Sequence, residues 1–393
     1  MNTERFAALA SSRGYAAAIA TTVPNVFYST GCISLGQKLI AGTKVFGVVV
    51  PTKQPWLVLP VGETDLAVEQ IRPEVKVLPY GVFYLETKNA ASSQDHARLA
   101  ELLNAPRAEG PIETLAALLR ELDLEGKIVA VDEAGLTPSE WDRLSELTKA
   151  RLVPGASFWK EVRMVKTHDE VAKLRQAALI TSAAIDYCVA NAREGMTEKD
   201  MAAMYEKYLL EHGAGLAATV ILFGSHSAYP NGIPGERKLQ KGDIIRFDSG
   251  CAFQGYYADL ARIVLFGHPD QPTFDKVSSY HSAMLAGVEK AIASIKPGLR
   301  ACEVFHTAVE TVRANGVRHY KRTHCGHGIG VEIYDPPVLR QESEVPIEPG
   351  MVFCVETPYY ELGLGGIQVE DTILVTEDGV EYLSPASSRL QVI

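Results

Sequence analysis

Up to about residue 155, short apolar runs alternate with amphipathic segments along the chain. The apolar runs at 45–50, 56–59 and 128–132 are typical of buried β-strands, whereas the segment 112–122 carries its apolar residues at helical spacing. Strands that alternate with helices predict an α/β layer built around a largely buried sheet. Because this part has no cluster of His, Asp, Glu or Cys that resembles a site, we expect it to shape the structure or the substrate pocket.

The pattern changes near residue 155, where a second domain is predicted to begin. Thr167 with Glu170 forms a capping box ahead of an amphipathic helix, and Thr197 with Asp200 repeats this signal ahead of another. A chain of 393 residues is also longer than one hydrophobic core usually supports. The predicted domains are residues 1–155 and 156–393.

The second domain carries its polar chemistry on strands. Strand-like runs at 243–251 and 256–264 flank a short turn that contains glycine, which predicts a β-hairpin. Two helices and two more strands are predicted at 274–295, 301–314, 352–357 and 368–376. The hairpin and the last pair of strands each contain two acidic residues that are described below.

Composition and charge narrow the possible partners. Apolar residues make up 47% and charged residues 22% of the chain, which is the balance of a packed globular protein. The net charge of -10, without a long basic run, argues against nucleic acid or an anionic membrane as a partner. No segment approaches the roughly 20 apolar residues that span a bilayer, and the N-terminus lacks the features of a secretory signal. We therefore expect a cytoplasmic protein.

Asp248 and Asp259 stand eleven residues apart, one on each strand of the predicted hairpin. If the hairpin turns at residues 253–254, the two aspartates lie directly opposite each other, with Cβ atoms about 4.5–5.5 Å apart. Two buried carboxylates at that distance repel and cannot both stay ionised unless a cation lies between them. The pair therefore predicts a metal site.

Glu356 and Glu370 repeat this arrangement on the last two predicted strands. Their midpoint is Gly363, inside a glycine-rich connection, so we expect these two acids to face each other as well. The two acid pairs suggest, as a hypothesis, an approximate internal two-fold relation within this domain. His327 lies between three glycines in the segment 326–330, which allow close backbone approach while the imidazole offers one nitrogen ligand.

Four short motifs, taken together, resemble those of the metallopeptidase family that includes methionine aminopeptidases, aminopeptidase P and prolidase. The motifs are FDSG at 247–250, YAD at 257–259, GHGIG at 326–330 and VED at 369–371. The resemblance covers essentially the whole chain and is closest to the proline-peptidase branch, because NVFYSTG at 25–31 is similar to an early signature of that branch. The segment EVRMVK at 161–166 is similar to the start of its catalytic domain.

The resemblance implies a creatinase-like α/β N-terminal domain and an α+β catalytic domain of the "pita-bread" type with an internal pseudo-two-fold. It also implies two divalent metal ions, with manganese favoured and cobalt, zinc or iron as alternatives. Asp259 and Glu370 would bridge the ions. Asp248 would bind one ion, and His327 with Glu356 would bind the other.

The activity implied by the resemblance is hydrolysis of the amide bond before proline, by an Xaa-Pro dipeptidase or aminopeptidase. The substrate would be a dipeptide or a short peptide. Glu356 would act as the general base that accepts the proton of the attacking water. A homodimer is expected from the family alone.

The chain departs from this family at three positions beside the predicted metals. Asn231 and Tyr334 stand where the family has histidines, and Gln368 replaces an arginine two residues before the last glutamate. Asn231 can orient a substrate carbonyl and Tyr334 can donate its phenol to a developing oxyanion, which makes both candidate catalytic residues. The alternative interpretation is that both are only walls of the pocket. We expect the specificity to differ from that of an ordinary prolidase.

Several other polar residues are secondary candidates. Arg262 is expected to brace a metal carboxylate or to form a structural ion pair. Arg318, Lys321 and Arg322 could pair with a substrate carboxylate, although a solvated basic face is the favoured interpretation. His324 is interpreted as a pocket or structural residue and not as a metal ligand.

Two other functions stay open beside the peptidase. One is metal-dependent hydrolysis of a small non-peptide C–N bond, as in the related creatinase and ectoine hydrolase, because one fold can host several chemistries. The other is a catalytically silent binding protein. Retention of all five ligand types at matching spacing argues against the silent protein.

Overall fold

The computed structural model describes residues 1–71, 74–88, 92–108 and 110–393. It consists of two compact units, Met1–Arg163 and Met164–Ile393. The division falls at the end of a helix that begins at Ala156, whereas the sequence pattern places the domain boundary just before that helix. Within the described ranges, no helix is both long enough and apolar enough to cross a membrane.

The first unit alternates helices and strands. In chain order its elements are α1 (Thr3–Arg13), β1 (Tyr15–Ala20), α2 (Val23–Thr30), α3 (Leu35–Leu39), β2 (Phe46–Val49), β3 (Trp56–Pro60), α4 (Thr64–Gln70), β4 (Lys76–Tyr80), α5 (Gln94–Asn104), α6 (Pro111–Glu121), β5 (Ile128–Val131), α7 (Pro138–Thr148), β6 (Arg151–Pro154) and α8 (Ala156–Met164). Its six strands form one mixed sheet in the order β4-β3-β2-β1-β5-β6. The predicted α/β layer around a sheet is confirmed.

The core of the first unit forms because its central strands are apolar along their length. All four residues of β2 are buried, and so are the last three residues of β5. Helix α6 places Leu115, Leu118 and Leu119 in the same buried cluster as Ile19 and Phe46 of the sheet. Each such side chain contributes about 1.5–3 kcal/mol when it is fully buried. The apolar face of α6 is therefore what attaches it to the sheet.

The second unit contains two similar runs in which a pair of helices precedes several strands. Its elements are α9 (His168–Ala190), α10 (Glu198–Glu211), β7 (Gly215–Phe223), β8 (Asp243–Phe253), β9 (Tyr256–Tyr257), β10 (Leu260–Phe266), α11 (Gln271–Ser294), α12 (Ala301–Ala314), β11 (Gly326–Gly328), β12 (Asp335–Val338), β13 (Val352–Glu356), β14 (Tyr359–Glu361), β15 (Gly365–Ile367), β16 (Glu370–Val375), β17 (Val380–Tyr382) and β18 (Gln391–Val392). The two runs start at α9 and at α11.

One sheet joins the two runs of the second unit. Its main strands follow the order β12-β11-β13-β16-β10-β8-β7, and β10 joins the two runs by pairing antiparallel with β16 and parallel with β18. Helices α11 and α12 pack against the sheet through apolar side chains, so that Met284 and Val304 share one buried cluster with Phe353 and Ile373. The strands from both runs therefore share one continuous surface.

The register of β13 and β16 agrees with the sequence. Glu356 lies directly opposite Glu370 in the antiparallel ladder, so the predicted pairing around Gly363 is confirmed. Gly363 has φ of 90°, a left-handed conformation that glycine adopts without strain.

The register of β8 and β10 differs from the prediction by two residues. Asp248 faces Ala261 and not Asp259, because the hairpin turns at Gln254 and Gly255. Both turn residues have positive φ, 50° for Gln254 and 81° for Gly255. Two-residue turns of this kind match the twist of the flanking strands and favour glycine at the second position. Side chains alternate between faces with a period of two, so a shift of two residues leaves Asp259 on the same face as Asp248. The aspartates are diagonal neighbours.

The two capping boxes predicted for this unit are both present, at the first residues of α9 and α10. At α9, the Glu170 backbone N–H donates to Thr167 Oγ1 over 3.3 Å, and the Thr167 N–H donates to Glu170 Oε2 over 2.9 Å. These bonds satisfy amide groups that have no partner inside the helix.

Replacing Thr167 by Ala is expected to lower the free energy of unfolding by about 1 kcal/mol, because the cap acceptor is lost. Urea denaturation followed by circular dichroism measures the change. Thr167→Ser keeps the hydroxyl and is the matched control, which should stay close to the wild type. Equal stability of the Ala variant and the wild type would show that the cap does not stabilise α9.

Candidate metal centre

A cavity of about 320 Å³ in the second unit brings the predicted site residues together. All seven of them line it, namely Asn231, Asp248, Asp259, His327, Tyr334, Glu356 and Glu370, and Gln368 lies beside them. Pro230, Arg322, Thr323, His324 and Tyr360 complete its wall. The volume is at the lower end of the range of about 300–1,000 Å³ that is usual for small-ligand pockets.

Five adjacent strands or their ends supply the five predicted metal ligands. His327 lies on β11, Glu356 ends β13 and Glu370 begins β16. Asp259 directly precedes β10, and Asp248 lies on β8. Neighbouring strands are about 4.7–4.9 Å apart, so the backbone ladder itself holds these side chains close together.

Asp259, His327 and Glu370 form the most compact group in the cavity. One ligand atom of each lies within 4.8 Å of the others, and all three residues are buried. His327 Nε2 is 3.9 Å from Asp259 Oδ2 and 4.0 Å from Glu370 Oε1. The opposite ring nitrogen, Nδ1, lies 3.0 Å from the carbonyl oxygen of Gly328 and can donate to it. That tautomer directs the lone pair of Nε2 toward the two carboxylates, as in histidine ligands of metals.

Glycine at position 326 is required for the close approach of β11 to β13. Gly326 has φ of 132°, and a Cβ atom there would lie 2.1 Å from the carbonyl oxygen of Cys354. His327 is paired with Cys354 in this ladder, next to the end of β13 that carries Glu356. The glycine therefore brings the imidazole within reach of the carboxylates.

Three of the four carboxyl groups have pKa values above the ordinary range. Burial, followed by the charges of Asp248 and Glu356, holds the pKa of Asp259 well above its usual value. Burial and the neighbouring carboxylates do the same to the pKa of Glu370. Burial raises the pKa of Asp248 to about 6, against the opposing effect of Arg246. Without a cation, this group of acids favours protonation.

Glu356 behaves in the opposite way. Although burial favours its neutral form, the hydrogen bond from His324 and the charge of Arg322 lower its pKa. His324 Nε2 lies 3.0 Å from Glu356 Oε1, and Arg322 Nη2 lies 3.9 Å from the same oxygen. Glu356 is therefore the carboxylate of the cavity that stays ionised most readily. The interpretation of His324 as a pocket residue is supported by this contact.

Tyr334 and Asn231 border the cavity in different ways. The ring of Tyr334 stacks on the imidazole of His327, with centroids 3.7 Å apart and an interplanar angle of 21°. Its hydroxyl is 3.5 Å from His324 Nε2, and 54% of the residue is exposed. Asn231 is exposed at the rim, directly after Pro230. Both side chains can therefore meet a ligand that enters from solvent.

Arg246 is a site residue that was missed at the sequence level. Its guanidinium is fully buried and donates from Nη1 to Asp248 Oδ2 over 3.0 Å and to Gln368 Oε1 over 2.8 Å. A signal was present, because Arg246 stands two residues before Asp248 on the same strand and therefore on the same face. An arginine inside the apolar run 244–247 is unusual without a buried partner.

The other basic candidates have distinct positions. Arg262 donates from Nη2 to Asp371 Oδ1 over 2.8 Å and from Nη1 to the backbone oxygen of Glu370, so it braces the segment that carries a predicted ligand. Arg322 lines the cavity, whereas Arg318 and Lys321 are exposed.

Two sequence families match the chain. "Metallopeptidase family M24" matches residues 172–377, just over half of the chain, and "Creatinase/Prolidase N-terminal domain" matches residues 3–165. A putative dipeptidase of Bacillus subtilis is 26% identical over 393 residues, which are 99% of each protein. An uncharacterized peptidase of Staphylococcus aureus is 31% identical over 227 residues. That match covers 57% of this chain and 64% of the Staphylococcus protein, less than two thirds of its length.

Solved structures share the fold. A dipeptidase from Pyrococcus horikoshii is similar with a TM-score of 0.80 at 24% identity, with 100% of both chains covered. An Xaa-Pro dipeptidase from Bacillus anthracis also gives 0.80, at 22% identity, with 100% of this chain and 99% of that chain covered. The predicted fold class, a creatinase-type N-terminal domain followed by a pita-bread domain, is confirmed. The sequence match over the second unit, together with the cavity that it encloses, shows that the chain belongs to metallopeptidase family M24.

Proposed function

We propose that this chain is a dinuclear metal-dependent hydrolase that cleaves the amide bond before proline in dipeptides or short peptides. The observation that carries the proposal is the buried group of Asp259, His327 and Glu370, whose ligand atoms lie within 4.8 Å of one another. The names of the Bacillus relatives, a putative dipeptidase and an Xaa-Pro dipeptidase, support the substrate class. The small cavity is also compatible with a short substrate.

The donor set fits divalent cations. Carboxylates at these distances repel one another unless positive charge lies between them, and burial together with that repulsion raises the pKa values of Asp259 and Glu370. Asp259 and Glu370 would be shared by two ions, with Asp248 on one side and His327 and Glu356 on the other. Oxygen ligands with one imidazole suit manganese, with cobalt, zinc or iron as alternatives.

Glu356 is the proposed general base. When bound, the ions would polarise the amide carbonyl and lower the pKa of a water far below its bulk value of about 15.7. Glu356 stays ionised and can accept the proton of the attacking water. His324 and Gln368 hold its two oxygens, at 3.0 Å from Oε1 and 3.4 Å from Oε2. These contacts fix the direction in which the carboxylate faces the cavity.

The cavity wall supplies the groups that would bind the substrate. Asn231 would orient the substrate carbonyl through its amide, and the hydroxyl of Tyr334 would donate to the oxyanion that develops there. Arg322 lies at the cavity with its guanidinium 3.9 Å from Glu356, which leaves it able to pair with a substrate carboxylate. A free carboxylate near the scissile bond is a feature of dipeptides.

A second candidate is hydrolysis of a small non-peptide C–N bond. The observation that favours it is that Asn231, Tyr334 and Gln368 all line the cavity in place of two histidines and an arginine. These replacements alter the hydrogen bonding around the substrate while all five proposed ligands remain. The same ions and the same base would serve either substrate.

Replacing Glu370 by Gln is expected to stabilise the metal-free protein at about pH 8. Since the pKa of Glu370 is raised in the fold, the folded chain binds more protons than the unfolded chain and loses stability as pH rises above about 4.3. The amide avoids that loss, so its advantage should shrink as the pH falls. Thermal unfolding in chelator measures the effect, and each kcal/mol shifts Tm by about 2–4 °C in a domain of this size.

The same variant should lose most of the rise in Tm that Mn²⁺ produces in the wild type, because an amide is a poorer metal ligand than a carboxylate. Glu361→Gln is the matched control, since Glu361 pairs with Lys276 and does not line the cavity. It should keep the response to Mn²⁺. A metal-free Glu370→Gln protein less stable than the wild type at high pH would contradict the proposed carboxylate repulsion.

Activity should depend on added metal and on Glu356. The protein is stripped with chelator and restored with Mn²⁺, Co²⁺ or Zn²⁺, and free proline is measured from Xaa-Pro dipeptides and from longer Xaa-Pro peptides. Glu356→Gln is expected to lower kcat by about 10²–10⁴-fold because it removes the base. Exposed Glu342→Gln is the control. Absence of proline release by protein that demonstrably binds the ions would exclude the peptide substrate and favour the small non-peptide amide.

Removing the Arg322 guanidinium should raise KM only for substrates with a free carboxylate, whereas the loss of its effect on the pKa of Glu356 would act on kcat for every substrate. Arg322→Ala is expected to raise KM for an Xaa-Pro dipeptide about tenfold or more, because a hydrogen bond to a charged group is worth about 1.5–3 kcal/mol. The same dipeptide with an amidated C-terminus should show no such change. Arg318→Ala, at an exposed position outside the cavity, is the control. Equal increases for the free and amidated substrates would rule out carboxylate recognition by Arg322.

A further inference from the structure

Arg246 lies in an apolar strand, yet its guanidinium makes hydrogen bonds to several different segments of the chain. Besides Asp248 and Gln368, its guanidinium binds two backbone carbonyl groups, with Nη2 2.7 Å from the oxygen of Tyr229 and 3.1 Å from that of Pro230. A buried guanidinium is costly unless it is paired and hydrogen-bonded. Here one carboxylate supplies the charge, and neutral acceptors bind the other N–H groups of Nη1 and Nη2, whereas the buried Nε has no hydrogen-bond partner.

Strand β15, which forms a separate two-stranded sheet with β14, leaves space for this side chain. A Cβ atom on Gly366 would lie 2.8 Å from Arg246 Cδ and 3.1 Å from its Nε, so glycine at that position admits the arginine stem. The guanidinium carbon lies 5.2 Å from the ring centroid of Tyr360, a distance at which a cation and an aromatic face attract each other. The side chain is thus held from several directions.

Three parts of the cavity depend on these contacts. The bond to Asp248 fixes the orientation of that carboxylate. The bond to Gln368 Oε1 turns the amide so that Nε2 faces Glu356 Oε2, at 3.4 Å. The bonds to the carbonyl groups of Tyr229 and Pro230 hold the segment that presents Asn231 to the cavity.

We propose that Arg246 is the positioning residue of this site, and that its fork of donors sets Asp248, Gln368 and the segment before Asn231 in the arrangement that binds metal. The inference rests on the proposed metal-dependent function. Arg246 itself acts through these partners and not on the substrate. A planar guanidinium suits this role because its donors point in fixed directions, unlike those of an ammonium group.

The test uses four variants of the full chain: Arg246→Gln, Arg246→Lys, Gln368→Arg, and the exchange variant Arg246→Gln/Gln368→Arg. The exchange variant moves the guanidinium from position 246 to position 368 and the amide from position 368 to position 246. In the wild type, a hydrogen bond of 2.8 Å joins these two side chains. The number of Mn²⁺ ions per chain and their Kd are measured by equilibrium dialysis and titration calorimetry. The visible spectrum of the Co²⁺ form reports the ligand arrangement. Urea unfolding in chelator reports stability without metal.

Arg246→Gln is expected to weaken Mn²⁺ binding about 10–100-fold, the range usual for partners that orient metal ligands, and to change the Co²⁺ spectrum. Gln368→Arg should also weaken binding, because it places two guanidinium groups side by side. The exchange variant should recover most of the affinity. Unchanged Kd and an unchanged spectrum in folded Arg246→Gln would overturn the proposal, even if that variant were less stable, because a purely structural arginine alters only stability.

If the Gln variants do not fold, Arg246→Lys provides the test, because lysine keeps the positive charge but lacks the planar set of donors of a guanidinium. Weaker Mn²⁺ binding by the folded Lys variant would support the positioning role, and binding equal to the wild type would overturn it. The wild type separates this inference from the proposed function. A wild-type chain that binds no metal refutes the function itself, whereas a metal-binding wild type with indifferent variants refutes only the role of Arg246.

Discussion

The chemistry of the second unit is governed by the repulsion between four carboxyl groups that its sheet holds close together. Asp248, Asp259, Glu356 and Glu370 come from strands or strand ends that are neighbours in one ladder, so the hydrogen bonds of the backbone prevent them from moving apart. Such groups can respond only by taking up protons or by binding cations. Two arginines, Arg246 and Arg322, bring positive charge to this fixed group.

The four acids lie on, or directly before, four successive strands, and the protein's own positively charged and hydrogen-bonding side chains contact the two on the outer strands, β8 and β13. Asp248 is paired with Arg246, and Glu356 contacts His324 and lies near the guanidinium of Arg322. For Asp259 and Glu370, burial is the largest effect and the neighbouring carboxylates add to it, so the pKa values of these two acids are raised well above the ordinary range. Bound cations would therefore relieve the most repulsion at Asp259 and Glu370, the two acids that we propose to be shared by the metal ions.

Local periodicity and turn signals explain which features could be predicted. The pairing of Glu356 with Glu370 followed from the glycine-rich connection between them, whereas the hairpin of Asp248 was displaced by two residues because Gln254 and Gly255 form its turn. The displacement did not move the aspartates to different faces, since side chains alternate with a period of two. The proximity of Arg246 to Asp248 could be predicted from their spacing on one strand, but its bonds to Gln368, Tyr229 and Pro230 could not, because these acceptors lie in segments distant along the chain.

The three residues by which the sequence departs from the family resemblance are all uncharged. Asn231 and Gln368 carry neutral amides, and the phenol of Tyr334 is neutral in its ordinary form, so none of them brings a positive charge to the cavity. The charge that a histidine or an arginine would contribute there is carried instead by Arg246, buried behind Asp248 and Gln368, and by Arg322 at the wall. Because Arg246 is enclosed by protein acceptors, the charge that a substrate can meet directly is concentrated at Arg322. In our proposal, recognition of a negative group on the substrate would therefore fall to Arg322, and the positioning of Asp248 and Gln368 to Arg246.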